Sequence, residues 1–166
     1  MKKLSLLFSF LFAVLLSFSQ GYDKKLDAVG LVVSDIEASE KFYTEILGFE
    51  KFTEFSLPDA WADQAGMSNG KGLTVNMYKL GEGQNAAALK LVEIKGISKK
   101  KFLSGIDVQS GVNYLTFRYE DFSEVRQKVD EAKIPIVGEV SGEGYKIFII
   151  RDPDGIFVEV IESSRG

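Results

Sequence analysis

The sequence predicts an α+β protein: two tandem βαβββ units forming paired, curved, four-stranded mixed sheets with the helices on the outside. Three observations predict it. The order strand, helix, three strands occurs twice between residues 25 and 162. The two occurrences hold register, because setting Asp35 on Asp121 puts Ala28 on Tyr114 and Val33 on Tyr119, while the closing strands set Lys90 on Glu159 and Glu93 on Glu162. A unit of about 70 residues with one helix cannot cover both faces of its own sheet, so the two units must pair, leaving a concave sheet surface open to a ligand.

The elements follow in order. Val29 to Val33 read as a buried strand, and Ser34-Asp35-Ile36-Glu37 as a capping box with Ser34 as N-cap. The first helix carries Ile36, Phe42, Tyr43 and Ile46 near one face and stops at Gly48. Phe49 to Phe55 form the second strand. Residues 56–71 are an irregular insert, in which Pro58 to Gln64 make one or two helical turns and Asn69-Gly70 a tight turn. Leu73 to Leu80 alternate, with Leu73, Val75 and Met77 on one side and Thr74, Asn76 and Tyr78 on the other. Ala87 to Ile94 close the first unit (about 25–95), and a polar linker (96–110) containing Lys99-Lys100-Lys101 leads to the second (about 111–162). There Val112 to Tyr119 are a strand, Asp121 starts a helix with Phe122, Val125, Val129 and Ala132 on one stripe, and Ile134 to Val140, Tyr145 to Ile150 and Ile156 to Ile161 complete the sheet. Asp152-Pro153-Asp154-Gly155 turns the chain between the last two.

Composition bounds the function. The chain has 166 residues, 45% apolar and 12% aromatic, enough for one packed core and unlike a disordered segment. Lys2 and Lys3 precede an apolar run, Leu4 to Phe18, that would measure roughly 22 Å as a helix, too short for a ~30 Å bilayer core. With Ser17 and Ser19 behind it, this is the layout of a cleaved signal peptide over residues 1–20, and the expected location of residues 21–166 is periplasmic or secreted. Without residues 1–20 the chain keeps 18 cations against 24 acids, a net charge of −6 that argues against a nucleic-acid partner. Cysteine and histidine are both absent, so neither a disulfide, nor a lipidated cysteine, nor a Ser-His-Asp or Cys-His nucleophile system can form.

Three stretches carry a family resemblance: Leu26 to Ile36, Phe42-Tyr43 with Leu47-Gly48-Phe49, and Asp152 to Glu162. Together they resemble the vicinal oxygen chelate superfamily, the group of glyoxalase I, the bleomycin-resistance proteins and the extradiol dioxygenases. The resemblance spans about residues 25–162. It implies four positions on the first and fourth strands of each unit facing one cavity, usually His, Glu or Gln holding a divalent metal. Here they fall on Ala28, Lys90, Tyr114 and Glu159. Only Glu159 is an ordinary ligand: Ala28 has no donor, Lys90 repels a cation, and a phenol ionises only near pH 10. A catalytic transition-metal site normally takes about three protein ligands, commonly including imidazole. The expectation is therefore a cavity without metal or other cofactor.

Strand parity places Tyr114, Thr116 and Arg118 on the cavity wall and turns Leu115, Phe117 and Tyr119 toward the helices. The same reasoning puts Thr74, Asn76 and Tyr78 beside Lys90 and Glu159. Lys90 is expected to replace the metal and pair with Glu159, Tyr114 to donate to Glu159, and Arg118 either to grip a substrate anion or to pair with a surface acid such as Glu93 or Glu120. Trp61 either roofs the cavity or anchors the insert. The preferred reading is an exported protein that binds a small organic molecule, possibly anionic. The alternatives are a glyoxalase-like lyase or isomerase with Glu159 as general base, assisted by Lys90 or Arg118, and a degenerate interaction module. Homodimerisation is an expectation from the resemblance.

Overall fold

The computed structural model describes residues 27–83, 86–99 and 101–163; the expected signal peptide lies outside them. Two four-stranded mixed sheets carry the architecture. In the first, β1 (Val29–Val33), β2 (Glu50–Leu57), β3 (Leu73–Leu80) and β4 (Ala87–Ile94) lie in the order β1-β4-β3-β2; in the second, β5 (Tyr114–Tyr119), β6 (Gly138–Gly142), β7 (Tyr145–Arg151) and β8 (Phe157–Ser163) lie in the order β5-β8-β7-β6. In each unit the first and last strands pair in parallel and the rest antiparallel. The internal repeat holds in the register: Gly30 faces Lys90 in the first sheet, and Thr116 faces Glu159 at the corresponding place in the second.

Three helices accompany the sheets among the described residues. α1 (Ile36–Lys41) runs into a π-helical turn, Phe42–Ile46, before Gly48 ends it with a positive φ of 77°. The widened turn follows from the core residues, since Phe42, Tyr43 and Leu47 must all point inward and an i to i−5 bond from the Leu47 amide to the Phe42 carbonyl allows it. The N-cap is Asp35, whose side chain accepts from the Ala38 amide, and not Ser34. Ser34 is drawn away by Asp154, which accepts from both its amide and its hydroxyl. α2 (Asp59–Ala65) occupies the insert and α3 (Ser123–Glu131) the second unit. α3 starts two residues after the expected Asp121 and stops one before Ala132, and β6 begins four residues later than predicted, because Ile134 to Val137 run as an irregular segment.

One core serves both units. Leu31, Val33, Leu89 and Leu91 of the first sheet, Phe42, Tyr43 and Leu47 of α1, and Phe117, Phe148, Val158 and Val160 of the second sheet belong to a single buried cluster. Edge-to-face ring contacts run from Phe42 to Tyr43, Phe49 and Phe117. Polar bonds fix the docking. The Tyr43 hydroxyl donates to Asp152 at 3.0 Å. The other Asp152 oxygen accepts from the amides of Asp154 and Ile156. The Tyr119 hydroxyl donates to the Leu47 carbonyl at 2.7 Å, and burial pushes its pKa up. Burial also raises the pKa of Asp152, an effect its three donors oppose, and raises that of Tyr43.

Tyr43→Phe should strand one buried oxygen of Asp152 and destabilise the fold by about 1–3 kcal/mol, read as a lower urea midpoint at unchanged slope. The raised pKa of Asp152 has a defined sign. Folded protein holds the proton to higher pH than the unfolded chain, whose carboxyl titrates near 3.8, so this group's contribution to stability falls as pH rises above that value. Asp152→Asn removes the titration. The stability of wild type minus that of Asp152→Asn should therefore decline as pH rises through the acid range and then level off; a rising difference would contradict the assignment.

Candidate functional site

The sheet registers decide which side chains share a face, because residues paired across a ladder point the same way. On the first sheet the face away from the core holds Gly30 and Val32 of β1, Lys90 and Val92 of β4, and Val75 and Met77 of β3. On the second it holds Tyr114, Thr116 and Arg118 of β5, Phe157, Glu159 and Ile161 of β8, and Ile147 and Ile149 of β7. Leu115, Phe117 and Tyr119 pack on the core side, as parity predicts.

Thr74, Asn76 and Tyr78 do not join Lys90. Lys90 pairs with Met77, whereas Tyr78 pairs with Leu89 and Asn76 with Leu91, both core residues. The three therefore occupy the opposite, helix-facing side. Tyr78 is fully buried in the core. The Asn76 amide, oriented to suit its neighbours, bonds Glu54 and Lys51, and the Thr74 and Ser56 hydroxyls meet at 3.1 Å. Lys51 in turn reaches Glu40 on α1 at 3.6 Å. The alternation itself is as expected, but its polar side faces the helices.

Lys90 and Glu159 also differ from expectation. The Lys90 ammonium pairs with Asp27 at 3.8 Å, and its side chain is 35% exposed. Glu159 accepts from the Thr116 hydroxyl at 2.7 Å, so its donor is Thr116 and not Tyr114, which is 53% exposed. A single residue separates Tyr114 from that position on the same face, and only the parallel register decides between them. Arg118 is exposed and makes no ion pair among the described residues. Trp61 is 41% exposed; the insert helix buries its neighbour Ala62 instead.

The open faces are not bare. Ala62, Leu73, Val75, Phe157 and Ile161 are buried yet stand outside the common core, so the cup has an apolar floor. At one end Val32 of the first sheet and Phe157 of the second line the same cavity of about 370 Å3, which linker residues Ile97, Phe102 and Leu103 also line, with Ser34, Ser98, Lys101, Gln109, Asn113 and Asp154 as polar groups. The linker is held down by Arg151. Its guanidinium stacks 3.8 Å from the centre of the Phe157 ring and donates to the carbonyls of Gly155 and Leu103. Gly155 has a φ of 89°, and a Cβ there would strike the Phe102 ring at 2.4 Å. Arg151 escaped the sequence reading, since a lone arginine at a strand end carries no motif.

The fold and this site define a class. A family model of the Glyoxalase/Bleomycin resistance protein/Dioxygenase superfamily matches residues 25–160, and the chain belongs to that superfamily. Solved structures agree on the fold. A glyoxalase family protein from Bacillus cereus superimposes with a TM-score of 0.72 at 16% identity, covering 89% of this chain and 99% of that one. A domain of the same superfamily from Frankia gives 0.65 at 18%, covering 86% and 100%. The trypanothione-dependent glyoxalase I of Leishmania major gives 0.62 at 19%, covering 84% and 87%. A comparison with curated protein sequences gives no match.

The superfamily's metal does not fit the residues present. Of Ala28, Lys90, Tyr114 and Glu159 only one supplies a carboxylate, one supplies a competing cation, and no group of three or more His, Cys, Asp or Glu side chains is placed to hold a metal among the described residues. Restoring donors tests the convergence of the four positions. The triple variant Ala28→His, Lys90→Glu, Tyr114→His should gain thermal stability on addition of Zn2+ or Ni2+, about 2.7 kcal/mol at a hundredfold excess over Kd. Wild type should not respond.

Proposed function

We propose that this protein binds a small organic anion in the cup between the two open sheet faces, with fixed cationic side chains where its relatives use a metal, and that it works outside the cytoplasm once residues 1–20 are removed. One observation carries the reading: Lys90, which the family resemblance sets at a metal-ligand position, lies on the open face of the first sheet, and Arg118 lies exposed on the open face of the second. An apolar floor formed by Val75, Phe157 and Ile161 suits the body of such a ligand, and the two cations suit its charged end. The pair with Asp27 is a half-exposed contact worth about 0–1 kcal/mol, so an incoming carboxylate can displace it.

Glu159 supports a second reading. Its carboxylate is oriented by Thr116, as a base that moves a proton beside a carbonyl would need to be, with a cation to stabilise the enolate. That would make the protein a lyase or isomerase. Glu159→Gln separates the two: it abolishes turnover if Glu159 is the base and leaves binding of an anion intact if the site only binds.

Native mass spectrometry of the protein from the exported fraction, with metal analysis of the same sample, tests the proposal. The expected result is no stoichiometric transition metal and an organic acid adduct, or binding in a screen of organic anions, that weakens at least tenfold in Lys90→Ala and in Arg118→Ala. A stoichiometric metal, or binding indifferent to both substitutions, would overturn it.

A further inference from the structure

A second cavity lies against α1, lined by none of Lys90, Arg118 and Glu159 and sharing Phe102 of the linker with the first. It measures about 740 Å3, within the range of roughly 300–1,000 Å3 occupied by small-ligand sites. One wall is the α1 face carrying Phe42 and Ile46, and the other is the irregular segment Ile134 to Val137 that replaces the expected start of β6. Phe102 of the linker and Pro153 of the Asp-Pro-Asp-Gly turn close one end.

The charges around this groove are one-sided. Asp152 is the one acid among its lining residues. It is 2% exposed and already accepts three hydrogen bonds, from Tyr43 and from the amides of Asp154 and Ile156. Three cations lie on the lining: Lys41, Lys99 and Arg151. Arg151 is committed to the Gly155 and Leu103 carbonyls and adds only its field. Lys99 lies 4.9 Å from the centre of the Phe102 ring. Lys41 is 71% exposed along its side chain, and its one ion pair among the described residues, to Glu45 one turn on, is 3.9 Å long. Such i,i+4 contacts are weak and solvent-screened, and give way readily to a better partner. An open, mainly apolar groove with two available ammonium groups at its edge, in a protein of net charge −4, is complementary to one kind of molecule: an apolar chain or ring ending in a carboxylate.

We propose that this groove is a second binding site, separate from the cup, for a hydrophobic monocarboxylate of the fatty-acid type. The tail lies between Phe42 and Ile136, and the carboxylate is held by Lys41 and Lys99. The lysines supply specificity for the anion, and affinity grows with the apolar length buried.

Titration of the protein with octanoate, decanoate, decanol and decyltrimethylammonium, each below its aggregation limit, tests the site. Decanoate should bind, each methylene from octanoate to decanoate should tighten binding about fourfold, and the alcohol and the cation should bind at least tenfold more weakly. Lys41→Glu with Lys99→Glu should weaken decanoate at least tenfold; both side chains project to solvent, so the fold is expected to survive, and retained amide chemical shifts in Phe117 and Val160 would verify this. Decanoate should shift the amide resonances of Ile134, Ile136 and Ala38 and leave those of Thr116 and Ile161 in place. No binding, equal binding of the cation, indifference to the charge reversal, or shifts confined to Thr116 and Ile161 would each overturn the proposal, the last by moving the ligand into the cup.

Discussion

The structure depends on the contact between Tyr43 and Asp152. A carboxylate 2% exposed would be costly to bury alone, and here it is tolerated because one oxygen takes the Tyr43 hydroxyl while the other closes the turn of its own hairpin. The bond joins α1 of the first unit to the β7–β8 turn of the second. Asp154, two residues on, adds its own bonds to Ser34 at the end of β1. The turn thereby sets the angle at which the two sheets meet, and with it the position of Lys90 relative to Glu159. The clasp runs one way only. By the offsets that relate the units, Gly83 stands where Asp152 does and Val129 where Tyr43 does, so the first unit's turn has no carboxylate and the second unit's helix no hydroxyl to return the contact.

Much of the fold was legible because its signals are local and repeated. Strands β3 and β4 have the bounds read from alternation and turn residues, and the repeat offsets predicted which residues correspond across the two sheets. The face of β3 was not assigned correctly, for a definite reason. When both faces of a sheet are covered, hydrophobicity does not say which side is the core. Val75 and Met77 floor the cup, while the polar side meets α1 through Asn76, Lys51 and Glu40. The answer was nonetheless present in the strand bounds. Closing the hairpin symmetrically pairs Leu80 with Ala87, and that register carries Lys90 opposite Met77 rather than beside Asn76 or Tyr78.

Partner choice within the site was less legible. Thr116, Tyr114 and Arg118 share one face by parity, but which of them reaches Glu159 depends on how a parallel pair is staggered across 43 residues of chain. No local pattern encodes that. The role of Arg151 is hidden for a similar reason: its partners are a ring at the first position of β8, a carbonyl of the turn before it and a carbonyl of a linker that looked merely polar. What composition does exclude is any imidazole or thiol chemistry, since the chain has no histidine and no cysteine.

The clasp is also late in the order of synthesis. A ribosome delivers β1, α1 and the whole first sheet before residue 100, yet the bonds that engage Tyr43 and Ser34 come from positions 152 and 154, the latter 120 residues beyond Ser34. Phe148, Ile150, Val158 and Val160 of the shared core arrive at the same moment. Until then the nascent first unit carries an aromatic face with nothing to cover it. Contacts this distant in sequence close slowly, and an emerging chain with exposed apolar surface depends on chaperones to stay single. The shared core and the clasp therefore cannot close until β7 and β8 have left the ribosome.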